Sequence, residues 1–338
     1  MQLKLIHLRF DCTASTPLQL GGLYAGSNLR GALANVMSRA VCPETQRRGD
    51  PTPEHAAVCP ACWLFAANLD PGSVTRAYAI APPYRPARQL QPGETFTFGL
   101  TLFGSGRQFL PYFVLAVMEA GKTTGIGSGR RQGNGRFTVN QITAIDPLRG
   151  QTQPLLQPGQ TLVQMPQLVV DDTAVHHFIQ TQLLPAQGLL TVHFLSPTRL
   201  TEHKQQFKTP DFGVFFRRLL YRLDDLNRHF AGGERRDPDE VKQYSELADK
   251  VRLVESHTRW HELWSSSSRR GGKTPFSGFT GTAVYHADNW QPFLPWLIWG
   301  QATQVGNVTP KGNGLYQLTN GQWPLYWHWL QQKDVEST

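Results

Sequence analysis

Residues 126–139 read IGSGRRQGNGRFTV, and residues 305–318 read VGNVTPKGNGLYQL. Each stretch follows the same opening. Phe109-Leu110-Pro111 precedes an apolar run (YFVLAVMEA), and Phe293-Leu294-Pro295 precedes another (WLIWGQA). In both places Phe-Leu-Pro opens a helix, and a loop ending in Gly-Asn-Gly leads into a strand-like run. The step from Gly127 to Gly133 equals that from Gly306 to Gly312. Agreement of order, spacing and surroundings in two places indicates a tandem duplication.

The segments upstream complete the unit. LKLIHLRF (3–10) and LLTVHFL (189–195) alternate as strands. A helix follows each: one capped by Ser27 with Leu29, Leu33, Val36 and Met37 on one face, one capped by Asp211 with Phe212, Phe215, Phe216, Leu219, Leu223, Leu226 and Phe230 at helical spacing. RAYAIAP (76–82) with ETFTFGLTLF (94–103), and GFTGTAVY (278–285), supply strands before the two Phe-Leu-Pro helices. Each half therefore reads βαββαβ, although the second is weaker on one strand and adds a helix from Asp237 to about Val254. The predicted fold class is α+β: tandem ferredoxin-like domains with glycine-rich loops and a Cys-containing insert. The expected division is 1–150, with the insert at 42–62, a linker region 151–187, and a C-terminal domain 188–338.

Composition narrows the partner. The 338 residues, at roughly 100–200 per domain, suit two domains. Lys and Arg number 33 against 25 Asp and Glu, giving net +8 and a pI near 9.5. An acidic partner follows, with RNA, DNA and anionic lipid as candidates. A mean hydropathy of -0.36 and the lack of a long uncharged apolar run argue against a membrane span. MQLKLIHLRFDC alternates like a strand and lacks the core of a secretory signal, so a cytoplasmic protein is expected, with thiols reduced or metal-bound.

The glycines do not suit nucleotides. A P-loop needs Gly five positions before that of Gly-Lys-Thr, where Ala116 and Ser267 stand. A dinucleotide fingerprint needs a helix after its glycines, and FTVNQITAI reads as a strand. The loops are either plain turns or a backbone surface for a phosphate chain, with Arg130, Arg131, Arg136 and Lys311 supplying charge. Cys42, Cys59 and Cys62 are spaced C-x16-C-x2-C, which suits structural zinc with His55 or the distant Cys12 as fourth ligand. Free thiols and a redox pair are the alternatives. Eight of nine Trp fall within 260–329. Trp260, Trp264, Trp290, Trp296 and Trp299 read as packing rather than base stacking, and Trp327 and Trp329 as a cover for the C-terminal domain or a partner contact. Arg217, Arg218, Arg222 and Arg228 read as the polar face of the second amphipathic helix.

FLSPTRL (194–200), FRRLLYRLDDL (216–226), SSSSRRGGKTPFSGFTGTAVY (265–285) and VGNVTPKGNGLYQL resemble the C-terminal region of the Cas-six endoribonucleases, which process precursor CRISPR RNA within the RAMP superfamily. SNLRGAL (27–33) is similar to the Leu-Arg-Gly helix start of RAMP proteins, and CPACWLF (59–65) to their Cys-x-x-Cys-x-Leu-Phe finger. The resemblance implies sequence-specific cleavage of CRISPR repeat RNA by metal-independent 2′-OH attack, giving a 2′,3′-cyclic phosphate and mature guide RNAs. It implies structural zinc but no catalytic metal. Repeat RNA is the expected partner, other CRISPR effector or adaptation proteins are further ones, and none is a membrane. The rival reading is a non-catalytic RAMP subunit that binds guide RNA in a CRISPR ribonucleoprotein. Where the family commonly has Lys after Val-Gly, Asn307 stands here, and residues 27–41 lack the His that many members carry on the first helix.

Proton-transfer candidates therefore come from loops. His203 in TEHKQQFK has Lys204 beside it, and Tyr24 in GGLYAGS precedes the first helix. Arg269 is the candidate for holding charge on phosphorus. Arg30, Arg199, Arg218, Arg270 and Lys273 join the loop cations as RNA contacts. His257 and His261, four apart beside Trp260 and Trp264, read as a helix face packed on aromatics, His193 as structural, and His176-His177 as uninvolved.

Overall fold

A computed structural model describes all residues except 46–48, 68–74, 85–87, 161, 183–186, 267–272, 322 and 332–338. The N-terminal unit runs β1 (Leu5–Ala14), α1 (Ala25–Val41), α2 (Pro53–Val58), α3 (Pro60–Phe65), β2 (Tyr78–Ala81), β3 (Thr95–Phe103), α4 (Leu110–Glu119), β4 (Phe137–Asp146) and β5 (Gln151–Leu156). Its antiparallel sheet has the order β2-β3-β1-β4-β5, the ferredoxin-like arrangement with one strand added at the edge. Period-2 alternation sends Leu8, Phe10, Cys12 and Ala14 of β1 into one core with Leu29, Leu33, Val36 and Met37 of α1. Ser27 does not cap α1. A single 3-10 turn, Gly22–Tyr24, runs straight into the helix and leaves Ser27 inside its first turn.

After α5 (Asp172–Thr181) come β6 (Gly188–Thr198), the hairpin β7 (Leu200–Glu202) and β8 (Gln205–Phe207), α6 (Phe212–Ala231) and α7 (Pro238–Ala248). Then follow β9 (Arg252–His261), the hairpin β10 (Trp264–Ser266) and β11 (Lys273–Pro275), β12 (Gly278–Ala287), α8 (Leu294–Thr303) and β13 (Tyr316–Thr319). The sheet order β13-β6-β12-β9 repeats the ferredoxin-like pattern. Asp211 caps α6 through its carboxylate, which accepts from the Val214 amide at 2.9 Å, and the seven predicted apolar positions are buried. Among the described residues no helix is long and apolar enough to cross a membrane.

His257 and His261 lie on strand β9, paired with β12, not on a helix. Most side chains of this edge strand are exposed, so no apolar alternation marks it. The helix from Asp237 accordingly ends at Ala248, where a turn feeds β9. Arg222 is buried, donating from Nε to Thr303 O at 2.6 Å with its guanidinium over the Phe103 ring. It joins the domains and is no part of a polar face. Arg217 is tied to Glu202 at 2.8 Å and to Asp249.

Residues 151–187, expected as a linker, carry structure belonging to both units. β5 extends the first sheet, Val170 bridges to Leu5, and α5 buries Ala174, Val175 and Phe178 in the second core. That core also takes in Leu3, Leu5, Ala79 and Phe103 from the first unit. Two close approaches fasten the halves. A Cβ added at Gly26 would lie 2.2 Å from Lys311 O, and Gln304 Nε2 donates to Ile80 O at 2.7 Å. Beyond β13 the chain crosses back to β1. There His7 bonds Tyr326 Oη at 2.7 Å and Thr101 Oγ1 at 2.8 Å, and Trp329 lies on Gly99.

Candidate nucleic-acid interface

A cavity of about 990 Å³ opens between α1, the cysteine insert, the first glycine loop and the start of the β10–β11 hairpin. Tyr24, Arg30, Arg130 and Arg131 line it from the N-terminal unit, and Trp264 and Lys311 from the C-terminal one. Each arrives for a local reason. Arg30 lies one turn into α1, where its Nη2 donates to Phe65 O at 2.8 Å and its guanidinium sits over the Phe65 ring. Arg130 and Arg131 form a short 3-10 turn between Gly129 and Gly133, both at positive φ, which a residue with a Cβ rarely adopts. Tyr24 is 36% exposed, its ring edge-on to Phe276 at 5.1 Å. Trp264 is 53% exposed, a large apolar ring open to the cleft.

Lys311 reaches the cavity from a 3-10 turn, Thr309–Lys311, set between left-handed Val308 and Gly312. Its Nζ donates to Ser265 Oγ at 2.7 Å. Burial, with the Arg30 charge adding to it, pushes the ammonium down to about 8. The two glycine loops thus differ in role. The first is exposed at Arg130, Arg131, Gln132 and Gly133, whereas in the second Thr309, Pro310, Gly312, Asn313 and Gly314 are buried against α1 and β2. The duplicated spacing hides this difference.

Other expected contacts lie elsewhere. His203 and Lys204 are the two exposed central residues of the β7–β8 turn, with φ of 47° and 65°, and neither lines the cavity. Arg199 is half-buried, its carbonyl accepting from the Asn307 amide at 3.1 Å, and burial holds its guanidinium below the usual value. Asn307 spends its side chain on Thr201 Oγ1 at 3.1 Å. Arg136 lies on a separate apolar groove beside α4, bonded to the Lys122 carbonyl. Arg218 rests over the Tyr221 ring. Lys273 is exposed on β11, and Arg269 and Arg270 lie outside the described residues. His193 bonds Thr282 Oγ1 at 3.1 Å, and His176 and His177 are exposed on α5. No His is among the described residues lining the cavity. Trp264, which the sequence predicts as packing, is instead open to the cleft, and its place at the edge of a polar serine run is the signal for this.

The insert brings Cys42, His55, Cys59 and Cys62 together, their ligand atoms within 4.8 Å of one another. Cys42 Sγ lies 3.8 Å from Cys62 Sγ and 3.6 Å from His55 Nε2. A tetrahedron with Zn–S of about 2.3 Å and Zn–N of about 2.0–2.1 Å has edges of roughly 3.8 and 3.5 Å, so the donor set fits zinc. Glu44 Oε1 stands 3.3 Å from His55 Nδ1, the outer partner that turns Nε2 inward. Cys12 lies buried on β1, outside this group. The node adjoins the cleft, because Cys42 and Cys62 also line it.

Residues 192–316 match the family model for the CRISPR-associated endoribonuclease Cas6, and residues 3–168 match a model described as an N-terminal domain. Comparison with curated proteins gives no match. Among solved structures, a Cas6 product complex is 16% identical, with a TM-score of 0.56 over 93% of this chain and 100% of its own. Thermus thermophilus Cas6 is 16% identical, with a TM-score of 0.52 over 94% and 99%. A partial Cas6-RT-Cas1–Cas2 complex is 11% identical, with a TM-score of 0.57 over 94% of this chain and 46% of its own. At these identities the structural likeness is one of fold. The C-terminal residues 192–316 thus match the Cas6 endoribonuclease model, and over 93–94% of its length the chain shares the fold of the Cas6 structures it resembles.

Proposed function

We propose that this protein is an endoribonuclease that cleaves CRISPR repeat RNA in precursor transcripts by 2′-OH attack without a catalytic metal. The observation that carries the reading is the cleft itself, where cations from both domains meet around the exposed rings of Tyr24 and Trp264. Arg30, Arg130 and Arg131 suit phosphates, and the rings suit unstacked bases, the pairing of charge and stacking that single-stranded RNA requires. Glu44 is the one carboxylate among the described lining residues, and it faces His55, whereas a hard catalytic cation takes several oxygen ligands. We assign the Tyr24 hydroxyl, which lines the cleft, to positioning the nucleophile. His203, Lys204 and Lys273 extend the RNA contact beyond the cleft, and Arg269 and Arg270, outside the described residues, keep the charge-holding and RNA-contact roles read from the sequence. We assign zinc to the cysteine node as a structural ion, and set the domain division within 151–187.

That no His is among the described residues lining the cavity favours the rival, a non-catalytic subunit holding guide RNA. One experiment separates them: end-labelled repeat RNA incubated in EDTA with folded protein. Cleavage with a 2′,3′-cyclic phosphate product, and none when the scissile nucleotide is 2′-deoxy, supports the nuclease. Tight binding with no cut supports the subunit.

A further inference from the structure

Cleavage by the 2′-hydroxyl leaves an alkoxide at the 5′-oxygen, which needs a proton at neutral pH. Histidine is the usual source, and none lines the described cavity. Lys311 lines the same cavity and carries protons to give. It comes from the C-terminal domain, yet its carbonyl abuts Gly26 in the first turn of α1, so it sits on the seam where both domains meet the cleft. The tight turn from Val308 to Gly312 holds its backbone, and Ser265 Oγ holds the ammonium at 2.7 Å. Two further N–H groups remain to point at a substrate. Among the described residues, the other charged and titratable groups lining the cavity are Arg30 and Tyr24 at the start of α1, Arg130 and Arg131 of the glycine loop, and Glu44, Cys42 and Cys62 of the insert.

We infer that Lys311 is the proton donor to the leaving 5′-oxygen, an inference that rests on reading the cleft as a repeat-RNA endoribonuclease. In the step, the 2′-oxygen forms a bond to phosphorus and the P–O5′ bond breaks. The 2′ proton passes to water and an ammonium proton of Lys311 passes to O5′, leaving a 2′,3′-cyclic phosphate, a 5′-OH and a neutral amine that solvent reprotonates. A lysine at about 8 matches this role, since a catalytic acid works best near the operating pH. An RNA-clamping lysine needs no such tuning.

The test uses saturating protein, single turnover, and two repeat RNAs: the natural one and one whose scissile 5′-oxygen is replaced by sulfur. A thiolate leaves without protonation, so the sulfur substrate does not need the acid. Lys311→Ala is expected to slow the natural substrate by about 10²–10⁴ while cutting the sulfur substrate at a rate similar to the unaltered protein. Lys311→Arg keeps the charge at the seam but holds its proton, so it is expected to show the same split. For the unaltered protein the rate on natural RNA should fall above about pH 8, and this limb should vanish on the sulfur substrate. Equal slowing of both substrates in both variants, or an undiminished rate on natural RNA, would overturn the assignment while leaving the nuclease intact. If the unaltered protein cuts neither RNA, the reading of the cleft fails first and the inference with it.

Discussion

Arg30 is held before any RNA arrives, by the Phe65 carbonyl and the Phe65 ring. Arg130 and Arg131 stand exposed on the glycine loop, so their substitution should report on RNA alone. Arg130→Ala or Arg131→Ala is expected to weaken repeat binding and to lower the salt slope by roughly 0.7 each, measured by titration at several salt concentrations. Trp264→Ala should weaken binding by about 1–3 kcal/mol with little salt dependence, the mark of a stacked base. His7 makes a prediction of a different kind. Burial pushes it down to about 3 from its usual 6.5, so the folded state keeps it neutral where the unfolded chain takes up a proton. Its contribution is therefore complete above pH 6.5 and is lost as pH falls toward 3. The loss is at most about 1.4 kcal/mol per pH unit. Urea unfolding at pH 7 and pH 5 should show this drop, and His7→Gln should flatten it.

Among the elements, the insert illustrates how far spacing can be read. Three cysteines and a histidine were visible in the chain, yet their distance in sequence says nothing about Cys12 against His55. The choice comes from α2 and α3, which turn His55 toward Cys42. Cys59→Ser or Cys62→Ser is expected to reduce bound zinc and melting temperature together, since a structural ion is coupled to folding. Because α3 ends at Phe65, the same variants should loosen Arg30 and weaken RNA binding, as gel shifts would show. Core-facing elements such as β1 and α6 were legible because burial writes a period into the sequence. β9 was not, because an exposed edge strand has no apolar face to repeat. The glycine loops matched in sequence, and only packing distinguishes the open one from the buried one.

For the molecule as a whole, the cleft exists only while the halves stay fastened. Gly26→Val would drive a side chain into the Lys311 carbonyl, and an overpacked contact of this sort costs about 1–3 kcal/mol. The expected outcome is a lower melting temperature and a loss of RNA affinity that exceeds the effect of any single cleft cation. Contacts between residues over 200 apart, such as Gln304 with Ile80, carry no local signature, so no sequence pattern marks the seam. The covering of β1 by Tyr326 and Trp329 has a further consequence, one of time. His7 on β1 is made 319 residues before Tyr326 of its cover, and domains fold from the N-terminus while synthesis proceeds at about 5–20 residues per second. For much of a minute at the slow end, the nascent first sheet must carry His7 and Gly99 uncovered. A ribosome-bound chain stopped before Tyr326 should therefore hold a partly finished domain, open to chaperones on the face that the tail later shuts.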